Sequence, residues 1–180
     1  MHHAVGVAWS RTLSLLLLTF WMGCHDDPHS LCDDEGVCRC QGLDVCEIDC
    51  EGDGCAVDCD ALSVCDATCE DGCDIDCNDL DDCGAACTDD CRIECSSLST
   101  CRAGCGERCD YSCMSASDCD VVVGDASSVN CHSVGSCQVD CEGACEVDCS
   151  NAGSCDIRCV AEDGSTSEPE VFDGSRYVCG

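Results

Sequence analysis

Cysteine and aspartate are the residues of this chain that could do chemistry, and both recur at fixed intervals. The 180 residues include 29 cysteines. From Cys46 onward they follow C-x3-C-x3-C-x3-C-x5, so that Cys65, Cys83, Cys101, Cys119, Cys137 and Cys155 stand 18 residues apart. Thiols at this density either hold metal as thiolates or close as disulfides. Zinc sites favour C-x2-C pairs joined by a second pair or by histidines. The sequence has one C-x-C (Cys38, Cys40), no C-x2-C, and only His25, His29 and His132 beyond residue 23. Crowded carboxylates would also raise the thiol pKa values and disfavour thiolates. Disulfides are therefore the expected chemistry.

The spacing also says what must position them. Between the first and second cysteine of each unit the central residue is small or β-branched: Ile48, Ala67, Ala85, Ala103, Val121, Val139, Ile157. Between the third and fourth it is Val57, Ile75, Ile93, Tyr111, Val129, Val147. C-x-φ-x-C, with φ an apolar residue, puts Cys, apolar and Cys on one face of a short strand. The triplets EDG, TDD, GER and EGA, and the longer gaps DALSV, NDLDD and SSLST, have turn chemistry. Helices are disfavoured by the Asp, Gly and β-branched content. The expected fold is all-β: a small disulfide-laddered β-solenoid of 18-residue coils, two short strands per coil, over residues 32–159. It resembles the disulfide-braced β-helices of insect antifreeze proteins in architecture only, since their flat threonine-rich face is missing.

Strand geometry prunes the pairings. Cysteines at the two ends of a five-residue strand lie about 13 Å apart, whereas a disulfide needs Cα atoms within about 7 Å. Turn-type gaps can be bridged, which predicts Cys69–Cys73, Cys87–Cys91, Cys105–Cys109 and Cys141–Cys145, with Cys50–Cys55 in the first unit, whose turn is one residue longer. Across the five-residue turns it predicts Cys59–Cys65, Cys77–Cys83, Cys95–Cys101, Cys113–Cys119, Cys131–Cys137 and Cys149–Cys155. The ends then read Cys32–Cys38, Cys40–Cys46 and Cys159–Cys179. The unit from Cys119 has Val123 and Ser127 in its two middle slots, a joint loss expected of partners. A rival scheme joins the first and fourth cysteine of each coil and explains the same loss, but it strands cysteines at both ends.

Stacking at this period aligns Asp58, Asp76 and Glu94 on one outward column, with Asp148 further along, and Asp71, Asp89, Glu107 and Asp125 on a second at the triplet turns. Such columns are the candidate metal ligands, with calcium as the cation, because it takes several oxygen ligands. The alternative is a solvated acidic face. Asp74-x-Asp76-x-Asn78 is similar to the start of an EF-hand loop, but Asp79 and Ala85 stand where that family has glycine and glutamate, so the family is rejected. No phosphate-binding glycine loop, nucleophile elbow or histidine-centred constellation is present, and catalysis is not expected. No cofactor other than calcium is implied.

Residues 1–23 lack acidic residues and carry an apolar run, Leu13–Trp21, too short to span a bilayer as a helix but suited to a secretory signal. With Gly23-Cys24 at its end, the segment resembles a bacterial lipoprotein signal. That resemblance implies cleavage before Cys24 and lipidation of it, although Trp21 and Met22 depart from the usual pattern. Residues 24–31 then form a polar tether, and residues 160–180 a flexible tail and cap, with Phe172 and Tyr177 folding back on the last coil. Seven basic residues, all arginine, face 38 acidic ones. Nucleic acid and anionic surfaces are repelled by such a chain, leaving cations or a basic protein surface as partners. The expected protein is a lipid-anchored structural or adhesive rod of the bacterial cell envelope, periplasmic or at the cell surface, with divalent-cation binding as the alternative.

Overall fold

In the computed structural model, residues 30–33, 36–41, 44–50 and 52–180 are described. The signal segment 1–23, the lipidation candidate Cys24 and the tether through residue 29 lie outside the described residues. The rest is a β-solenoid without helix, of about seven coils. In chain order the strands are β1 (Ser30–Cys32), β2 (Val37–Gln41), β3 (Val45–Cys50), β4 (Ala56–Asp60), β5 (Val64–Cys69), β6 (Asp74–Asn78), β7 (Asp82–Cys87), β8 (Arg92–Ser96) and β9 (Thr100–Cys105). They continue as β10 (Asp110–Met114), β11 (Asp118–Gly124), β12 (Ser127–His132), β13 (Ser136–Glu142), β14 (Cys145–Asp148) and β15 (Ser154–Val160). The tail adds β16 (Thr166–Ser167), β17 (Glu170–Val171) and β18 (Arg176–Cys179).

Alternate strands build two sheets. One runs β1-β2-β4-β6-β8-β10-β12-β14-β18-β17, the other β16-β15-β13-β11-β9-β7-β5-β3. Coil stacks on coil in parallel, in register at the sequence period, as Cys65↔Cys83 and Ile75↔Ile93 show. Side chains alternate in and out along each strand, so the cysteines and the apolar centres between them share the interior: β6 and β8 bury Ile75, Cys77, Ile93 and Cys95 and turn their acids outward. The apolar centres of the five-residue turns, Leu62, Leu80, Leu98, Ala116 and Val134, complete this core.

Turns are locked by a device that repeats with the coil. Ala61, Asp79, Ser97, Ser115, Ser133 and Asn151 all have φ near +60°. From Ala61 through Ser133, each of these N–H groups donates to a carbonyl of the next coil, at 3.1–3.2 Å. The opposite turns do the same through Gly54, Gly72, Asp90, Arg108 and Ala126. Backbone donors that a tight turn would leave idle are thereby satisfied along the rod axis.

Antiparallel strands close three of the four sheet ends: β1 on β2, β18 on β14, and β16 on β15. In the tail Tyr177 packs against the core, whereas Phe172, expected to fold back, stays 76% exposed.

Candidate functional site

Among the described residues, twelve disulfides run along the solenoid. Seven cross the five-residue turns, at Cys40–Cys46, Cys59–Cys65, Cys77–Cys83, Cys95–Cys101, Cys113–Cys119, Cys131–Cys137 and Cys149–Cys155, with Cα separations of 6.2–6.6 Å. Three cross triplet turns, at Cys87–Cys91, Cys105–Cys109 and Cys141–Cys145, at 6.0–6.4 Å. Cys32–Cys38 and Cys159–Cys179 tie the two ends. Where the ladder skips a rung, Val123 is buried and Ser127 Oγ accepts the Cys109 N–H at 3.0 Å, so the polar atom that replaces sulfur is satisfied.

Four cysteines depart from the expected pairing. Cys50, Cys55, Cys69 and Cys73, expected as Cys50–Cys55 and Cys69–Cys73, are not joined by S–S bonds in the structure. They occupy the triplet turns of the first two full coils, with Cys50 and Cys69 in register on β3 and β5. Cys55 and Cys69 influence the Cys50 thiol, and Cys69 and Cys55 the Cys73 thiol, so the four lie near one another. The longer first turn, with Gly52 at φ 116° and Gly54 at φ 79°, also leaves Cys55 partly exposed while the other three are buried. Burial, then the Cys55 thiol, pushes the Cys50 pKa up to about 12. Burial also raises Cys69 and Cys73, so these thiols are neutral near pH 7. Their contacts fit that state: Cys50 lies 4.0 Å from the oxidised Cys38 sulfur, which can only accept, and Cys73 points to the Glu70 carbonyl at 3.8 Å.

The first acidic column is in register, but it opens with a cation. It reads Arg39, Asp58, Asp76, Glu94, Ser112, Asn130, Asp148 across the β2-to-β14 sheet. Arg39 Nε is 4.0 Å from Asp58, and Arg92 reaches Glu94 at 2.6 Å. Asp76 sits between them, its pKa raised by burial first and then by Glu94, Asp58 and Asp74. An open groove of about 270 Å³ runs over Asp58, Asp60, Asp76, Asn78, Glu94, Ser96 and Met114. Hydrogen bonds knit its floor, from Asn78 to Asp60 at 3.1 Å and from Ser96 to Asn78 at 2.6 Å.

Asp89, Glu107 and Asp125 of the second column are committed to the fold. Asp89 Oδ1 accepts the Glu107 N–H at 2.7 Å, Asp125 Oδ1 accepts the Ala144 N–H at 2.9 Å, and Glu107 pairs with Arg108 at 2.9 Å. Arg108 also clasps Asp90 of the preceding coil through two hydrogen bonds of 2.7 Å, which holds that carboxyl below the usual range. Among the described residues, the groups of three ligand atoms that converge within 4.8 Å are cysteines throughout. The carboxylates of Asp58, Asp76, Glu94, Asp71, Asp89, Glu107 and Asp125 do not form such a group. Sequence periodicity places both columns but carries no sign of the arginines that interrupt them.

These features define a class, the disulfide-laddered β-solenoid with an acidic surface. Comparison with known proteins adds no relative to it: no family model, no curated protein and no solved structure matches the chain.

Proposed function

We propose that this is an exported bacterial envelope protein, lipidated on Cys24, whose work is structural or adhesive rather than catalytic: a rigid acidic rod displayed from a membrane. The observation that carries the reading is the construction of the rod itself. Twelve cross-links in a narrow core suit an oxidising compartment outside the cytosol. The signal-like segment ending at Gly23-Cys24 supplies the anchor. The outward run of Asp58, Asp76 and Glu94 suits a basic protein surface as the partner. Expression in a bacterium, with Cys24→Ala beside the parent, tests the anchor. The parent is expected in the detergent-extracted membrane fraction and the variant in the soluble fraction. Equal distribution of the two would remove the lipid from the proposal.

A second reading, weak calcium binding, rests on Asp58, Asp76 and Glu94 aligned in one open groove. Calorimetry decides it: no heat up to about 10 mM calcium, some tenfold above the weak end of extracellular sites at about 1 mM, leaves the acidic face as a solubilising and docking surface alone.

A further inference from the structure

Gly104 lies on the outer face of β9, and nothing inside the chain asks for glycine there. A Cβ at this position meets no atom within 4 Å, and the backbone lies outside the left-handed region. Gly84, one coil earlier, differs, because its Cβ would clash with the Asp66 carboxylate. In register with Gly104 stand Thr68, Ala86 and Val122, so β5, β7, β9 and β11 present an uncharged column of mostly small residues on an acidic rod. A shallow trough of about 540 Å³ runs along it, and Val122 is an exposed apolar side chain at its edge. The column beside it reads Asp66, Gly84, Arg102, Asp120. Arg102 is the most exposed of the described arginines that pair with acids, at 67%. It reaches Asp82 only at 3.8 Å, whereas Arg92, Arg108 and Arg158 hold their acids at 2.6–2.7 Å.

We propose that this sheet face, from β5 to β15, is the contact surface of a homodimer: two antiparallel rods packed face to face, with a two-fold axis along the strands between β9 and β11. Self-complementarity selects a second copy as the occupant. Such an axis keeps every residue on its own column and sets β9 against the partner's β11, twice over. Arg102 then meets the partner's Asp120, and Val122 enters the notch over the partner's Gly104. Thr100, in register with Asp118, faces the partner's Asp118 as a hydroxyl donor. Farther out, Ala86 faces the partner's Asp140, a carboxylate already held by Arg158 at 2.7 Å. The like-charged pair, Asp66 against the partner's Asp156, falls at the rim, where solvent screens it. Six strands at about 4.8 Å spacing, each about 20 Å long, give a face of about 600 Å². Two such faces bury about 1,200 Å², the low end for a specific pair, which points to a reversible dimer rather than an obligate one.

Sedimentation equilibrium of the exported full chain tests this, in density-matched detergent so that lipid on Cys24 does not obscure the mass. Sodium chloride at about 0.15 M shortens the Debye length to about 8 Å and screens the net charge of the two rods. A dimer with Kd of about 10–100 μM is expected. Arg102→Asp and Asp120→Arg should each weaken it about tenfold or more, because each sets two pairs of like charges face to face, and the combined swap R102D/D120R should restore it to within about threefold. Gly104→Ile, for which the chain itself has room, should keep or raise Tm, since glycine weakens a strand, and should abolish the dimer by filling the notch. A chain that stays monomeric at about 1 mM overturns the proposal. So does a dimer indifferent to Arg102→Asp or to Gly104→Ile, or a charge swap that fails to rescue.

Discussion

Tyr111 occupies a position that its stacked neighbours fill with Ile93 and Val129, and it carries a hydroxyl into an interior that has no use for one. The residue is 1% exposed and its hydroxyl oxygen has no hydrogen-bond partner. Burial pushes its pKa above the ordinary tyrosine value. An unpartnered buried polar group costs about 1–3 kcal/mol, so Tyr111→Phe should stabilise the protein by about 1 kcal/mol or more, read as a higher Tm. An unchanged or lower Tm would mean that the hydroxyl is bridged after all. Asp76 is the charged counterpart. Its folded pKa is raised above the ordinary 3.8 by burial and by Glu94, Asp58 and Asp74, so the folded state binds its proton more tightly than the unfolded one. The linked stability is present at low pH and is lost as pH rises from 3.8 through the folded value. Asp76→Asn should therefore raise Tm at pH 7 and flatten the Tm–pH profile just above pH 4; parallel profiles for the two proteins would refute that linkage.

At the scale of the coil, the skipped rung shows what a cross-link contributes. Val123 is in register with Cys105 and Cys141, and Ser127 with Cys145, so the backbone there already has the geometry of its closed neighbours. Val123→Cys/Ser127→Cys should close a further disulfide. A loop this short stabilises by about 2 kcal/mol in the chain-entropy model. Intact mass lower by two hydrogens than the reduced variant, with a Tm gain of several degrees, is the expected result; two alkylatable thiols would show that the coil is not equivalent. Much of this was legible in the amino-acid order, because an in-register solenoid converts an 18-residue period directly into columns. The inward triplets Cys–φ–Cys and the turn gaps follow from period-2 alternation and from the reach of a strand. Three things were not legible, each for a physical reason. The positive-φ turn positions are filled by Ala61, Asp79, Ser97 and Arg108 as readily as by glycine, so composition does not mark them. The four unbonded cysteines share no mark in the sequence, since the Cys50–Cys55 turn has one residue more than a triplet whereas the Cys69–Cys73 turn is a regular triplet like the closed ones. The arginine partners depend on side-chain reach between coils, as with Arg158 and Asp140 at 2.7 Å.

Over the whole molecule, charge is the term left uncompensated. The six described arginines all pair with acids: Arg39, Arg92, Arg102, Arg108, Arg158 and Arg176. With 38 acidic residues in the chain, most carboxylates have no arginine to meet. Parallel stacking at about 4.8 Å per coil lines them up, and two like charges at that spacing repel by roughly 1 kcal/mol even at the dielectric constant of water. The disulfides hold the chain against that repulsion, and salt should relieve it. The Debye length falls from about 30 Å at 0.01 M salt to about 10 Å at 0.1 M and about 3 Å at 1 M. Tm should therefore climb steadily with sodium chloride across that range, opposite in sign to a fold that depends on its surface ion pairs. Calcium chloride at matched ionic strength separates screening from binding, since an ion held in the Asp58–Asp76–Glu94 groove adds a saturable increment that Asp76→Asn abolishes. Superimposable sodium and calcium curves would confine the acidic columns to screening, and a Tm that falls with sodium chloride would show that the arginine clasps, rather than the carboxylate columns, dominate the electrostatics of the rod.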